Sequence, residues 1–299
     1  MPLSLVHHDA FVASLPGGHR FPMNKYLRLK EILLEDGIVS PSDLIAPVEA
    51  PSSWLGLAHA PDYVDAVMQA RVDPRIEREI GFPVRPDIAR RSRLSVGATV
   101  LAAQLATERG IACTTAGGSH HARHGGGAGF CVLNDVAVAA HVLSADGVDR
   151  VLVIDLDVHQ GDGTAEILAD RPDLFTFSMH AQKNYPVRKV PGDLDIGLAD
   201  GLGDRAYLET LGDALPVLFN RVRPDIVFYN AGVDPHRDDR LGRLALTDWG
   251  LAERDKTVIG ACRDRDIPVA CVIGGGYSSD IDTLARRHAI LHRTAAAFC

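Results

Sequence analysis

The sequence predicts an α/β fold, a single domain built on an open, mostly parallel sheet with helices on both faces. Short apolar runs of strand length alternate with longer amphipathic stretches, the pattern of strands joined by crossover helices. The strand-like runs carry Val, Ile and Leu at both alternating positions, as in Val151-Leu152-Val153-Ile154, which suits a sheet covered on both sides. No internal repeat, low-complexity stretch or shift in composition marks a linker, so residues 1–299 read as one unit.

Taken in order, strands are expected at Ile111–Thr115, Arg150–Val158, Leu174–Met179, Asp225–Tyr229 and Val269–Ile273. Helices are expected at Asp204–Arg221, Thr247–Arg263 and Ser278–Leu291. Thr247 opens its helix as an N-cap, and Pro224 and Pro268 lie just beyond helix ends. Met179 to Leu202 reads as a long loop after a strand. Ligands of open parallel sheets bind at that edge, which makes the loop a candidate pocket wall.

Composition excludes several function classes. Hydrophobic residues at 46% and charged residues at 23% point to a sizeable core and away from disorder. The formal charge is −8, and no basic run is present that could track a phosphate backbone, so direct nucleic-acid binding is not expected. An acidic surface gives a slight preference for cationic substrates. Cys113, Cys131, Cys262, Cys271 and Cys299 include no CxxC pair and read as reduced thiols. With neither a signal-like start nor a membrane-length apolar run, a soluble, cytoplasmic chain is expected. The oligomeric state is not legible.

Three strand ends carry chemistry. The first is Asp155-Leu156-Asp157-Val158-His159-Gln160-Gly161-Asp162, where strand alternation would project Asp155, Asp157 and His159 together. Burying carboxylates in so apolar a strand costs several kcal/mol unless a cation compensates. One oxygen and one nitrogen ligand, from Asp157 and His159, suit zinc, iron or cobalt, and Asp234 at the next strand end supplies a third. Three protein ligands leave a position open, as catalytic sites require. The second is Gly117-Gly118-Ser119-His120-His121, which puts two imidazoles in a loop at the same rim; either could move protons, and either could be a ligand or solvent-facing. The third is Ile273-Gly274-Gly275-Gly276-Tyr277, whose tyrosine keeps its proton at neutral pH and can donate to a developing oxyanion.

These motifs, from about Gly117 to Tyr277, resemble the histone deacetylase superfamily, which includes acetylpolyamine amidohydrolases and acetoin-utilisation proteins. The resemblance implies the arginase/deacetylase-like variant of the predicted fold. It implies one catalytic Zn2+ held by Asp157, His159 and Asp234, with His121 as general base and His120 as its electrostatic partner. Asp155 and Asp162 would accept from His120 and His121, and Tyr277 would polarise the amide carbonyl. Gly129 and Phe130, with Tyr185 and Gly275, would line a tunnel for the acyl-lysine stem. A structural K+ would sit near Asp155, Asp157, His159, Ser178 and Met179. The implied substrate is an acylated lysine peptide or protein, or an acylated polyamine. The brevity of the chain resembles class IV-like and bacterial members.

Two rival readings differ at identifiable positions. An arginase-type ureohydrolase needs further carboxylates at two-residue spacing, where this chain has Gly161 and Gly232. A non-catalytic acyl-lysine binder has no use for Tyr277 and His121 together.

Overall fold

Eight strands form the sheet of the computed structural model, which describes residues 2–299; Met1 lies outside the described residues. They are β1 (Ser4–Val6), β2 (Leu44–Ile45), β3 (Ile111–Thr114), β4 (Val151–Asp155), β5 (Leu174–Ala181), β6 (Leu194–Leu198), β7 (Ile226–Asn230) and β8 (Val269–Val272). Their order is β2-β1-β3-β8-β7-β4-β5-β6, and every pairing is parallel. The sheet is therefore wholly parallel, where the sequence indicated only a parallel majority.

The central strands are buried at every position, which accounts for their apolar residues on both alternations. Helices Lys25–Glu35, Ile281–Ala296, Asp248–Arg263 and Asp204–Val222 pack in one group, and Pro86–Arg109, Asp135–Ala145 and Asp162–Leu168 in a second. Thr247 is the N-cap of its helix, its hydroxyl accepting from the amide of Gly250. All five cysteines are free. Among the described residues no helix is long and apolar enough to cross a membrane.

Two expectations need correction. The segment 179–202 is not one loop: β5 continues to Ala181, and Leu194–Leu198 adds an edge strand in register with Phe177–Ala181. Only Leu198 of its five residues is buried, so it lacks the apolar run that reveals an inner strand. The strand expected at Arg150–Val158 ends at Asp155. Asp155 Oδ1 accepts from the amide of Asp157 (3.1 Å), and Asp157 Oδ1 accepts from the amide of His159 (3.0 Å). Two successive side-chain turns, rather than strand alternation, thus set the spacing of this motif.

Because β3, β4, β7 and β8 are neighbours or near neighbours and all point the same way, the segments leaving them share one rim. Asp155, Asn230 and Val272 lie in register across β4, β7 and β8. The chain leaves β3 toward β4 past the two strands between them, and the crevice at that divergence is where open parallel sheets bind ligands.

Candidate active site

At that rim Asp157, His159 and Asp234 are buried and place one ligand atom each within 4.8 Å of the others. His159 Nδ1 lies 3.0 Å from Asp157 Oδ1 and 3.2 Å from Asp234 Oδ2. The backbone fixes both carboxylates: Gly275 N–H donates to Asp157 Oδ2 (2.7 Å) and Val158 N–H to Asp234 Oδ1 (2.9 Å). Glycine is required at two approaches. A Cβ on Gly275 would come within 2.1 Å of Asp234 Oδ2, and one on Gly232 within 2.4 Å of Asp157 Oδ2.

The two buried carboxylates compete for the one positive charge of His159: burial lowers the affinity of its imidazole for a proton, but the hydrogen bonds to Asp157 and Asp234 outweigh this and raise it to about 10. Burial, and then the charge of Asp157, push the Asp234 carboxyl up to about 7. Two oxygens and one imidazole nitrogen on separate strand ends form a donor set that a divalent transition metal fits, zinc included.

Beside this cluster stand two histidine–carboxylate pairs. His120 Nδ1 is 2.7 Å from Asp155 Oδ2, and His121 Nδ1 is 2.6 Å from Asp162 Oδ1. Their environments separate them. Burial lowers the affinity of His120 for its proton, but the charges of Asp155 and Asp157 outweigh this and raise it to about 9. Burial, reinforced by the positive charge of His120, lowers His121 to about 4, although Asp162 opposes the shift. At neutral pH the pair is one imidazolium beside one free imidazole.

Tyr277 is 8% exposed, its ring centroid 6.3 Å from that of His159. Burial, and then the charges of Asp234 and Asp157, raise its hydroxyl well above the usual range, so it stays protonated. Phe130 stands 5.8 Å from the Tyr277 ring, and Tyr185 meets the His121 ring edge-on at 4.8 Å. These aromatics, with Gly129, line an outer cavity of about 400 Å³ that reaches His121 and His159. Gly275 lies instead on the inner side, in a second, narrow cavity of about 30 Å³ that Lys25 and Arg91 also line. Asp155 and Ser178 are register partners on β4 and β5, and Met179 follows on the same strand.

A model of the histone deacetylase domain matches residues 19–293. The chain belongs to the histone deacetylase family. It is 31% identical to histone deacetylase 2 of Arabidopsis thaliana over 289 residues, covering 92% of this chain and 74% of that protein. It is 49% identical to an uncharacterized protein of Picosynechococcus sp. over 296 residues, 99% of each chain. A crystal structure of an HDAC homologue complexed with SAHA superposes with a TM-score of 0.85 at 27% identity, covering 99% of this chain and 84% of that one. A histone deacetylase of this family is a hydrolytic deacetylase, and the α/β sheet is the family fold.

Several residues that shape this deacetylase site escaped sequence reasoning. Asn230 Nδ2 donates to Asp155 Oδ1 (3.0 Å), and Arg123 donates to Asp162 Oδ2 (2.9 Å) on the side away from His121. Lys25, 1% exposed, donates to Gly274 O at 3.1 Å, just ahead of Gly275 and Tyr277. Burial lowers its ammonium to about 8, with Asp234 and Asp157 opposing. Arg254, fully buried, donates to the carbonyls of Gly232 (2.6 Å), Leu156 (3.3 Å) and Ala231 (3.4 Å), holding both ligand segments from behind. No spacing rule distinguishes such inward cations from the solvated charges around them.

Proposed function

We propose that this chain is a zinc-dependent deacylase that hydrolyses the N-acyl amide of a lysine or related amine, as one catalytic domain. The observation that carries the reading is the convergence of Asp157, His159 and Asp234 beside a neutral His121, a charged His120 and a protonated Tyr277. Asp157, His159 and Asp234 would hold the zinc, which supplies Lewis acidity at the scissile carbonyl.

The protein's own groups do the rest. Asp162 accepts from His121 Nδ1–H, which leaves Nε2 free to take a proton from the attacking water and later return it to the departing amine. Arg123 holds the second oxygen of Asp162 and so fixes the orientation of that pair. His120, charged against Asp155, keeps a positive charge beside the reacting centre. Tyr277 donates to the oxygen that gains negative charge. Gly129, Phe130 and Tyr185 enclose the acyl-amine stem. A structural potassium would take main-chain oxygens around Asp155, Asp157 and His159, together with Ser178 and Met179. Free cysteines throughout support a cytoplasmic location.

The test is acetate release from an acetyl-lysine peptide by zinc-loaded and by chelator-stripped protein. Release that disappears with the chelator and returns with zinc is expected. Absence of release from every acyl-lysine and acylpolyamine tried, by protein shown to contain stoichiometric zinc, would assign the pocket to binding alone.

A further inference from the structure

The protein carries a formal charge of −8, yet the mouth of its outer cavity is basic. Arg20, Arg78, Lys183 and Arg243 line that mouth against one carboxylate, Glu79. All five side chains belong to exposed residues. Arg243 pairs with Asp200 at 3.1 Å, whereas among the described residues Arg20, Arg78 and Lys183 form no ion pair. Arg20 places its guanidinium 5.1 Å from the centroid of Phe130, directly on the tunnel wall. These cations therefore face whatever flanks an acyl-amine stem inserted between Phe130 and Tyr185.

Building on the deacylase reading, we propose that the substrate is an acyl-lysine flanked by acidic residues, selected by this basic mouth. A polyamine or a lysine-rich peptide would bring its own positive charge against three unpaired cations. A peptide with Asp or Glu on either side of the acyl-lysine would meet complementary charge within the screening length of about 8 Å at physiological ionic strength. The preference resides in the carrier of the acyl group, and the chemistry at the zinc end of the tunnel is the same for every carrier. It reverses the direction suggested by the overall charge of the chain.

The test compares acetyl-lysine peptides identical except for two acidic, two neutral or two basic flanking residues, with N-acetylspermidine as a small cationic substrate, all on zinc-loaded full-length protein. The expected order of kcat/KM is acidic, neutral, basic, about tenfold from first to last, carried by KM with kcat nearly constant. The order should collapse in roughly 0.5 M salt, where the screening length is a few ångströms. In Arg78→Glu/Lys183→Glu the ratio of acidic to basic kcat/KM should invert, a comparison within one variant that is independent of any general loss of activity. Peptide affinity, measured by fluorescence anisotropy on Tyr277→Phe protein, should follow the same order. Equal rates for all flanks, a basic preference, or a ratio that survives the double reversal would overturn this inference and leave the deacylase reading standing. Failure to hydrolyse any of the substrates would overturn both.

Discussion

Arg254 offers the sharpest separation of stability from function in this protein. Its guanidinium is fully buried and pairs with Asp255 Oδ1 at 2.8 Å, and Asp255 in turn accepts from the Tyr229 hydroxyl at 2.6 Å. The remaining N–H groups cap the carbonyls of Leu156, Ala231 and Gly232, the residues immediately before Asp157 and shortly before Asp234. Arg254→Met strands a buried carboxylate and exposes three carbonyls to an apolar cavity, and should cost about 3 to 5 kcal/mol in urea unfolding. Removing the rest of the network, in Arg254→Met/Asp255→Leu/Tyr229→Phe, restores much of that stability because no buried charge is left unpaired. Metal affinity should not recover with it, since the ligand segments still lack their tether. A weakening of about 10- to 100-fold is expected, the usual cost of losing a group that orients a ligand. Competition with a chromogenic chelator on the triple variant reads this directly. Zinc affinity equal to that of the unmodified protein would show that the ligand loops hold themselves.

Three further outcomes follow from the same geometry. Tyr277→Phe should lower turnover about 100- to 1000-fold with zinc content unchanged, as for loss of one oxyanion donor, and near-normal turnover would remove the hydroxyl from the reaction. Gly275→Ala drives a Cβ to within 2.1 Å of Asp234 Oδ2 and 2.6 Å of Asp157 Oδ2, so the chelator competition should show zinc binding at least about tenfold weaker while far-UV circular dichroism is unchanged. His59 is buried, with Nδ1 donating to Arg123 O and Nε2 accepting from Asn134 N–H, so protonation at Nε2 destroys a hydrogen bond. Burial lowers it to about 4, and its contribution is therefore complete above pH 6.5 and is lost as pH falls toward 4, by up to about 3 kcal/mol. Urea midpoints of the unmodified protein should fall more steeply between pH 7 and 4.5 than those of His59→Asn, and parallel slopes would refute the assignment.

What the sequence revealed and what it concealed divide along physical lines. β4, β5, β7 and β8 were legible because strands buried on both faces need continuous apolar runs, and those runs point at the residues that follow them. β1 and β2, of three and two residues, are too short to show a pattern, and β6 carries Asp195 and Gly197 because an edge strand needs only part of its surface buried. The residues of the Asp155–His159 motif were identified from alternation, but their spacing reflects side chains that cap amides two residues ahead. Lys25 begins a helix whose other charged residues face partly or fully outward, and only the tertiary packing of that helix against Gly274 turns its ammonium inward.

Charge shows most clearly why a sum over the chain misleads about a site. The formal charge of −8 hinted weakly at cationic substrates, and that hint treats the surface as uniform. Along the path of a substrate the sign alternates: exposed Arg20, Arg78 and Lys183 at the mouth, an aromatic and glycine throat, paired Asp157 and Asp234 at the floor, and Lys25 with Arg91 in the cavity behind. Screening makes each layer act over a few ångströms only, so the flanking residues of a substrate sense the mouth and its carbonyl senses the floor. An acidic protein can thus hold a cation in its interior and favour anionic neighbours at its entrance, because the two requirements are met by different residues separated by a tunnel without formal charge.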